Sequence, residues 1–356
     1  MAAVKTAVVL FNLGGPDRPE AIQPFLKNLF SDPAIISLPW PLRPMLAEVI
    51  SRKREKEARV IYGRIGGRSP LNEETAIQAR QLEAGLGGDH RVFVAMRYWH
   101  PLIEDTVREV ADWQPDRIVL LPLYPQFSTT TTGSSLGEWH RRAARAGITA
   151  PTTALCCYPV EEGLVAGHAE LIGGALERAG DAPVRVLFSA HGLPEKIVAA
   201  GDPYQWQVEQ TAAAVVAKLA HPNLDWQVCY QSRVGPLKWI GPSTDDAIRQ
   251  AGADGKGAVV VPIAFVSEHS ETLVELDLEY GELAHKAGCT PYIRVPALGT
   301  NASFIAGLVN QVERLGADDT PALASPSGGR FCPASWGKCP CADAGPVGPG
   351  RFRQKA

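Results

Sequence analysis

One kind of apolar run, used again and again, limits what this chain can fold into. Short β-branched segments recur at residues 7–12, 92–98, 117–123, 153–158, 184–189, 226–230, 258–265 and 292–295. Most are apolar at consecutive positions, which suits strands covered on both faces, as parallel strands are. Helical periodicity fills the intervals at 74–86, 102–113, 162–178, 207–219, 271–286 and 302–315. Parallel strands need crossovers long enough to hold a helix, so the alternation predicts an α/β fold with parallel sheets.

The order of the segments suggests a duplication. Leu121-Pro122-Leu123-Tyr124 leads to Ser128, a polar loop and a helix; Val261-Pro262-Ile263-Ala264-Phe265 leads to Ser267, a polar loop and a helix. The expected architecture is two similar doubly wound, Rossmann-like lobes with a cleft between them. The first spans residues 1–155, with a helix at 301–316 packing back on it, and the second spans 156–300. In doubly wound sheets the loops at the C-terminal strand ends carry the site. Beyond Gly316 the periodicity stops. Pro, Gly, Ala and Ser dominate, so 317–345 reads as an irregular cysteine-containing extension and 346–356 as a flexible tail.

Charge and length exclude several classes. With 35 Lys+Arg against 38 Asp+Glu, the net charge of −3 argues against a nucleic-acid partner. The longest basic run, Arg52-Lys53-Arg54, is broken at Glu55 and reads as a solvated helix face. No stretch is apolar enough to span a membrane, and the N-terminus has no secretory or transit pattern, so a cytoplasmic protein is expected. A chain of 356 residues needs no disulfides to hold a core, and seven cysteines without a secretion signal do not form a disulfide framework.

Three segments could carry chemistry. Phe11-Asn12-Leu13-Gly14-Gly15-Pro16 follows the first strand but is not a dinucleotide-binding glycine motif. His191, in Ser189-Ala190-His191-Gly192-Leu193-Pro194, stands at the end of a buried strand, where a core histidine and a catalytic one are both reasonable readings. Ser267-Glu268-His269-Ser270-Glu271 opens a helix that continues through Glu275 and Glu279. At roughly 100° per residue the three carboxylates fall near 0°, 40° and 80°, forming one stripe. The stripe is either a solvated acidic face or a path for protons or a divalent cation.

The segments containing His191 and Glu271 together resemble ferrochelatases. So do Asn12-Leu13-Gly14-Gly15-Pro16, Arg64-Ile65-Gly66-Gly67-Arg68-Ser69-Pro70, Arg97-Tyr98, Tyr124-Pro125-Gln126, Thr131-Thr132-Gly133-Ser134-Ser135, Gly201-Asp202-Pro203-Tyr204 and Gln231-Ser232-Arg233-Val234-Gly235-Pro236, in family order. The resemblance implies the two-lobed chelatase fold and insertion of Fe²⁺ into protoporphyrin IX with release of two protons, giving protohaem in haem synthesis. It implies that His191 and Glu271 are catalytic, meet the iron and lie on opposite sides of the porphyrin, with His269, Glu275 and Glu279 as a proton or metal relay. It places Leu13, Arg54, Tyr62, Ser69, Arg97, Tyr98, Tyr124, Trp239 and Phe265 at the substrate. It reads residues 32–50, with Ile35, Ile36, Leu38, Trp40, Leu42, Leu46 and Ile50, as an apolar lip that meets a membrane surface. Two alternatives stay open: coproporphyrin III as the substrate, and a non-catalytic tetrapyrrole- or metal-binding protein of the same fold.

Cys332, Cys339 and Cys341 gather within ten residues of an otherwise featureless extension. Some ferrochelatases carry a [2Fe–2S] cluster on such an extension, with a fourth cysteine from the body of the protein. Animal members place that cysteine at the position of Thr129, so here the donor must be another. Cys156 and Cys157 end a strand just before the crossover at Tyr158-Pro159, where a returning tail could dock, whereas Cys229 and Cys289 read as core residues. Adjacent strand residues point to opposite faces, so one of the pair, with Cys157 preferred, is expected to serve.

Overall fold

The computed structural model describes residues 4–233, 235–317 and 320–341. The expected tail at 346–356 and the end of the extension lie outside the described residues. Two units are distinguished: the chain to Tyr158 with Leu308–Ala334 and the chain from Lys338, and Pro159–Gly307 with Ser335–Gly337.

In the first unit, β1 (Thr6–Asn12) is followed by α1 (Ile22–Phe30), α2 (Leu42–Gly63), α3 (Leu71–Leu86), β2 (His90–Met96), α4 (Ile103–Trp113), β3 (Arg117–Pro122), α5 (Thr132–Arg145) and β4 (Thr152–Leu155). The strands lie parallel in the order β2-β1-β3-β4. Every residue of β1 is buried, which is why its sequence is continuously apolar rather than alternating.

The second unit repeats the winding. It contains α6 (Glu162–Ala179), β5 (Val184–His191), α7 (Glu195–Ala199), α8 (Tyr204–Leu219), β6 (Trp226–Gln231), α9 (Thr244–Ala253), β7 (Gly257–Pro262), a π-helical segment (Glu271–Glu279), α10 (Tyr280–Lys286) and β8 (Tyr292–Arg294). Its strands are parallel in the order β6-β5-β7-β8. In both sheets the first strand is central, the second pairs on one side, and the third and fourth follow on the other. The chain therefore reverses direction at β1/β3 and again at β5/β7, the switch points where doubly wound sheets bind ligands. Helix α11 (Ala302–Leu315) carries the division between the units, at Gly307 and Leu308.

Three features depart from expectation. The helix expected at 271–286 begins as a π-helix, with the Tyr280 amide donating to the Glu275 carbonyl five residues back. Residue periodicity does not reveal this, because packing partners rather than propensity decide the winding. The extension, expected to lack regular structure, adds β9 (Leu323–Ala324) in parallel beside β4. Two residues are too few to leave a period. α1, α7 and α9 fall outside the expected helical stretches; α9 is announced only by its cap, the Ser243 hydroxyl accepting from the Asp246 amide at 3.0 Å.

His168, on α6, is fully buried, and neither ring nitrogen has a hydrogen-bond partner among the described residues. Burial pushes its pKa down to about 3, from 6.5. A histidine held neutral in the fold leaves stability intact above its unfolded pKa and drains it as pH falls toward the folded value. His168→Leu should therefore gain stability over the parent by about 2 kcal/mol more at pH 5 than at pH 7.5 in urea unfolding. A gap that is the same at both pH values would contradict this.

Candidate active site

His191 is the last residue of β5, at the switch point of the second unit. The chain must turn sharply after it. A Cβ on Gly192 would stand 2.9 Å from the Gln231 carbonyl, so only glycine fits between these strand ends. The Tyr204 hydroxyl hydrogen-bonds the His191 backbone. From β7, on the other side of β5, the chain runs through Phe265 and His269 into the π segment, and its first residue, Glu271, meets the histidine: His191 Nδ1 lies 2.8 Å from Glu271 Oε2.

That distance corrects the expectation that the two residues flank a porphyrin from opposite sides. Atoms on the two faces of a flat ring are separated by twice a van der Waals contact of about 3.5 Å. A pair in direct hydrogen bond occupies one side.

A polar cradle holds the pair. Gln231, at the end of β6, accepts from the Ser189 hydroxyl at 2.8 Å and donates from Nε2 to the Glu271 carbonyl at 3.1 Å and to Glu275 Oε2 at 3.0 Å. Ser232, in the left-handed region at φ 59°, donates its amide to Glu275 Oε1 at 2.8 Å. Its hydroxyl lies between the carboxylates, 2.5 Å from Glu275 Oε2 and 3.3 Å from Glu271 Oε2. Tyr280 donates to Glu275 Oε1 at 3.0 Å. The expected stripe thus brings Glu271 and Glu275 together, while Glu279 is exposed farther along.

These contacts divide the ionisations. Burial raises the Glu271 pKa, but the attraction and hydrogen bond of His191, helped by His269 and Ser232, outweigh it and bring the carboxyl down to about 2. Burial lowers that of His191, yet Glu271 and Glu275 together lift it above the ordinary value. The ring is 39% exposed and Glu271 28%, so water screens part of this attraction. Glu275 is pushed up, by burial and then by the charge of Glu271, against the donors from Ser232 and Tyr280. Burial pulls His269 down against the attraction of Glu271 and Glu268. His269 Nε2 is 4.0 Å from Glu271 Oε2 and its ring stacks obliquely on Phe265 at 4.6 Å. Trp239 is half-buried beside Gly192. Two carboxylates driven apart in pKa beside a histidine driven up form a chain of groups able to accept and pass protons.

The other candidates belong to the first unit. Arg97, beyond β2, pairs with the buried Asp32 at 2.8 Å and donates to Ser134 at 2.7 Å. Tyr98 is buried and donates to Asp32 at 2.7 Å; Ser134 also bonds Asp32. Leu13 and Tyr124 are half-buried at the ends of β1 and β3. Tyr62 and Ser69 are buried, and Arg54 lies 3.8 Å from Glu57 on α2. The sequence gives Gln231 and Ser232 only as part of a family-like motif, with no role, and gives Asp32 only as the first residue of the apolar lip.

All five candidate cluster cysteines are buried in the first unit. Cys156 and Cys157 lie with sulfurs 3.3 Å apart. This corrects the expectation that they point to opposite faces: β4 ends at Leu155, so strand alternation no longer applies. Cys156, rather than the preferred Cys157, hydrogen-bonds Cys341; its pKa is raised first by Cys157 and next by Cys341. Cys339 is drawn down to about 6, chiefly by its hydrogen bond with Cys332 and also by Arg330, against burial. Pairing of β9 with β4 brings the extension here, with the Cys156 amide donating to Ala324 at 2.8 Å. Among the described residues no three His, Cys, Asp or Glu side chains converge on one metal-sized site.

The ferrochelatase family model matches residues 5–315. The ferrochelatase of Caulobacter vibrioides (strain NA1000 / CB15N) is 58% identical over 343 residues, covering 95% of this chain and 97% of that protein. The ferrochelatase of Phenylobacterium zucineum (strain HLK1) is 55% identical over 348 residues, covering 96% and 99%. Among solved structures, the sirohydrochlorin chelatase SirB from Bacillus subtilis subspecies spizizenii in complex with cobalt superposes with a TM-score of 0.52 at 13% identity, over 87% of this chain and 95% of that one, a likeness of fold. With a family match across both units and relatives this similar over nearly the whole length, the chain belongs to the ferrochelatase family.

Proposed function

We propose that the chain inserts Fe²⁺ into protoporphyrin IX, with His191 taking up the pyrrole protons the metal displaces, one at a time, and handing them on, and with Glu271 held charged beside it. The observation that carries this reading is the 2.8 Å His191–Glu271 pair at the second switch point. His191 accepts a pyrrole proton when neutral, and the Glu271 carboxylate stabilises the imidazolium that results. Ser232, placed between the carboxylates, passes a proton on to Glu275, the carboxylate whose surroundings favour the protonated form. His269 and Glu279 extend the path. Iron is a substrate here, and the same carboxylates attract it to the site.

Leu13, Arg54, Arg97, Tyr124, Trp239 and Phe265 are the residues assigned to contact with the macrocycle. Tyr62, Ser69 and Tyr98 are buried and act behind them. Trp40 is 77% exposed, and Leu42, Met45 and Val49 repeat at helical spacing on the exposed face of α2. This apolar face favours the less polar dicarboxylate protoporphyrin over the tetracarboxylate coproporphyrin III, and it suits peripheral contact with a lipid surface. No described helix is long and apolar enough to cross a membrane.

The cysteine donor set suits a [2Fe–2S] cluster. Such a cluster takes two thiolates on each of two irons, so its ligands come as two pairs rather than one convergent quartet. Cys332 with Cys339, and Cys341 with one of Cys156 and Cys157, supply those pairs. The cluster would tie the extension to β4 and takes no part in insertion.

His191→Ala should lower kcat for protoporphyrin metallation under anaerobic conditions by roughly 10²–10⁴-fold with the fold retained. Glu275→Gln and Glu279→Gln should be milder than Glu271→Gln. A His191→Ala rate within about threefold of the parent would overturn the reading. Because His191 must be neutral to accept a proton, the acid limb of kcat/KM should lie above the ordinary histidine value of about 6.5 and move to lower pH in Glu271→Gln. An unmoved limb would count against the pair.

The purified protein should be reddish-brown, with visible absorption that dithionite bleaches and that Cys339→Ser loses. A colourless protein after anaerobic purification, free of iron and sulfide, would refute the cluster. Replacing Trp40 and Met45 by Ser should abolish co-sedimentation with phospholipid vesicles; an unbound parent would remove the lipid contact.

A further inference from the structure

The π segment that carries Glu271 is held by side chains from the edge strand β8. Tyr292 and Arg294 are two residues apart, so they project from the same face of that strand. The Tyr292 hydroxyl donates to the Leu276 carbonyl, inside the π segment, at 2.5 Å. Arg294 Nε donates to Asp277 Oδ1 at 2.5 Å, and Arg294 Nη1 donates to Glu268 Oε1 at 2.7 Å. Asp277 lies inside the π segment and Glu268 precedes it, so the two carboxylates bracket Glu271 along the chain.

Glu268 spreads this anchorage further. Its Oε1 also accepts from the Ala297 amide at 2.9 Å, and its Oε2 accepts from the Thr272 hydroxyl at 2.5 Å. Thr272 in turn accepts from the His269 amide at 3.0 Å. β8 is itself fixed to β7, with the Ala258 amide on Pro291 and the Val295 amide on Val260, each at 2.8 Å. Arg294 is only 14% exposed, and a planar guanidinium with diverging donors can serve two carboxylates at once, which an ammonium cannot do with the same geometry.

π-helical turns are rare and are kept where tertiary contacts hold them, often at functional sites. Glu271 opens this one. We infer that Arg294 is a positioning residue for iron insertion: by bridging Glu268 and Asp277 it holds the π segment in the register that sets Glu271 against His191. The inference rests on the proposed role of that pair; Arg294 spends its hydrogen bonds on Asp277, Glu268 and the Val295 carbonyl and acts on Glu271 through the chain.

A double-mutant cycle tests it, because residues acting through one another fail to add while independent sites multiply. Anaerobic protoporphyrin metallation is measured for the parent, Arg294→Met, Glu271→Gln and the double variant, with thermal unfolding as the control on folding. Arg294→Met should lower kcat by about tenfold or more in the parent, with porphyrin KM little changed, and by less than about twofold when Glu271 is already Gln. Arg294→Lys should recover part of the loss. Equal losses in both backgrounds, or a rate within about twofold of the parent for Arg294→Met, overturn the inference. If Arg294→Met fails to fold, Tyr292→Phe takes its place in the same cycle with the same criteria. A Glu271→Gln variant at the parent's rate would overturn the role of the pair itself, a result separable from failure of the clamp.

Discussion

The hydrogen-bonded ion pair of His191 and Glu271 depends on two chain segments, the end of β5 and the turn that follows its neighbour β7. His191 is set by the strand itself, and its place leaves no room for a side chain at residue 192. Glu271 is set by a π turn that no local propensity favours. Its cost is offset by a ring of contacts: Gln231 on the Glu271 carbonyl, Ser232 and Tyr280 on Glu275, Tyr292 on Leu276, and Arg294 across Glu268 and Asp277. The charge state of the site follows from that geometry. A buried carboxylate would ordinarily gain a proton. Glu271 keeps its charge because the histidine is within hydrogen-bond reach, and that charge raises the proton affinity of both His191 and Glu275.

The two units share one winding but present different side chains at their switch points. At the β1/β3 switch point the strand ends carry Leu13 and Tyr124, and the nearby Arg97 is locked to a buried Asp32 that also takes Tyr98 and Ser134. A fixed guanidinium beside apolar and aromatic side chains suits binding of an anionic, flat ligand. At the β5/β7 switch point the same topology presents a histidine and two carboxylates of divergent proton affinity. The shared winding puts both sets of candidate residues at the same topological position of their own sheet.

Much of this was legible in the residues. Apolar runs locate the eight principal strands, and the pattern is plainest where burial covers both faces, as in β1 and β7. His191 and Glu271 stood out through their motifs and strand-end placement. What stayed hidden depends on contacts far apart in sequence. Nothing near residue 294 says that an arginine will span Glu268 and Asp277, and nothing near Asp32 says that it will meet Arg97. The π winding was invisible because Glu271, Glu275 and Glu279 satisfy an ordinary helical stripe. The apolar run continues to residue 158, three residues beyond the end of β4 at Leu155, so the alternation expected of Cys156 and Cys157 does not hold there. The extension looked featureless because its docking onto β4 uses only two residues.

The most direct test of the pair is the titration of the His191 ring, followed by NMR in protein labelled at histidine nitrogen and assigned by substitution. With Glu271 ionised at 2.8 Å, the ring should titrate above the ordinary value of about 6.5, and the midpoint should fall when Glu271 is replaced by Gln. A His191 midpoint at or below about 6.5 in the parent, unmoved by Glu271→Gln, would contradict the account.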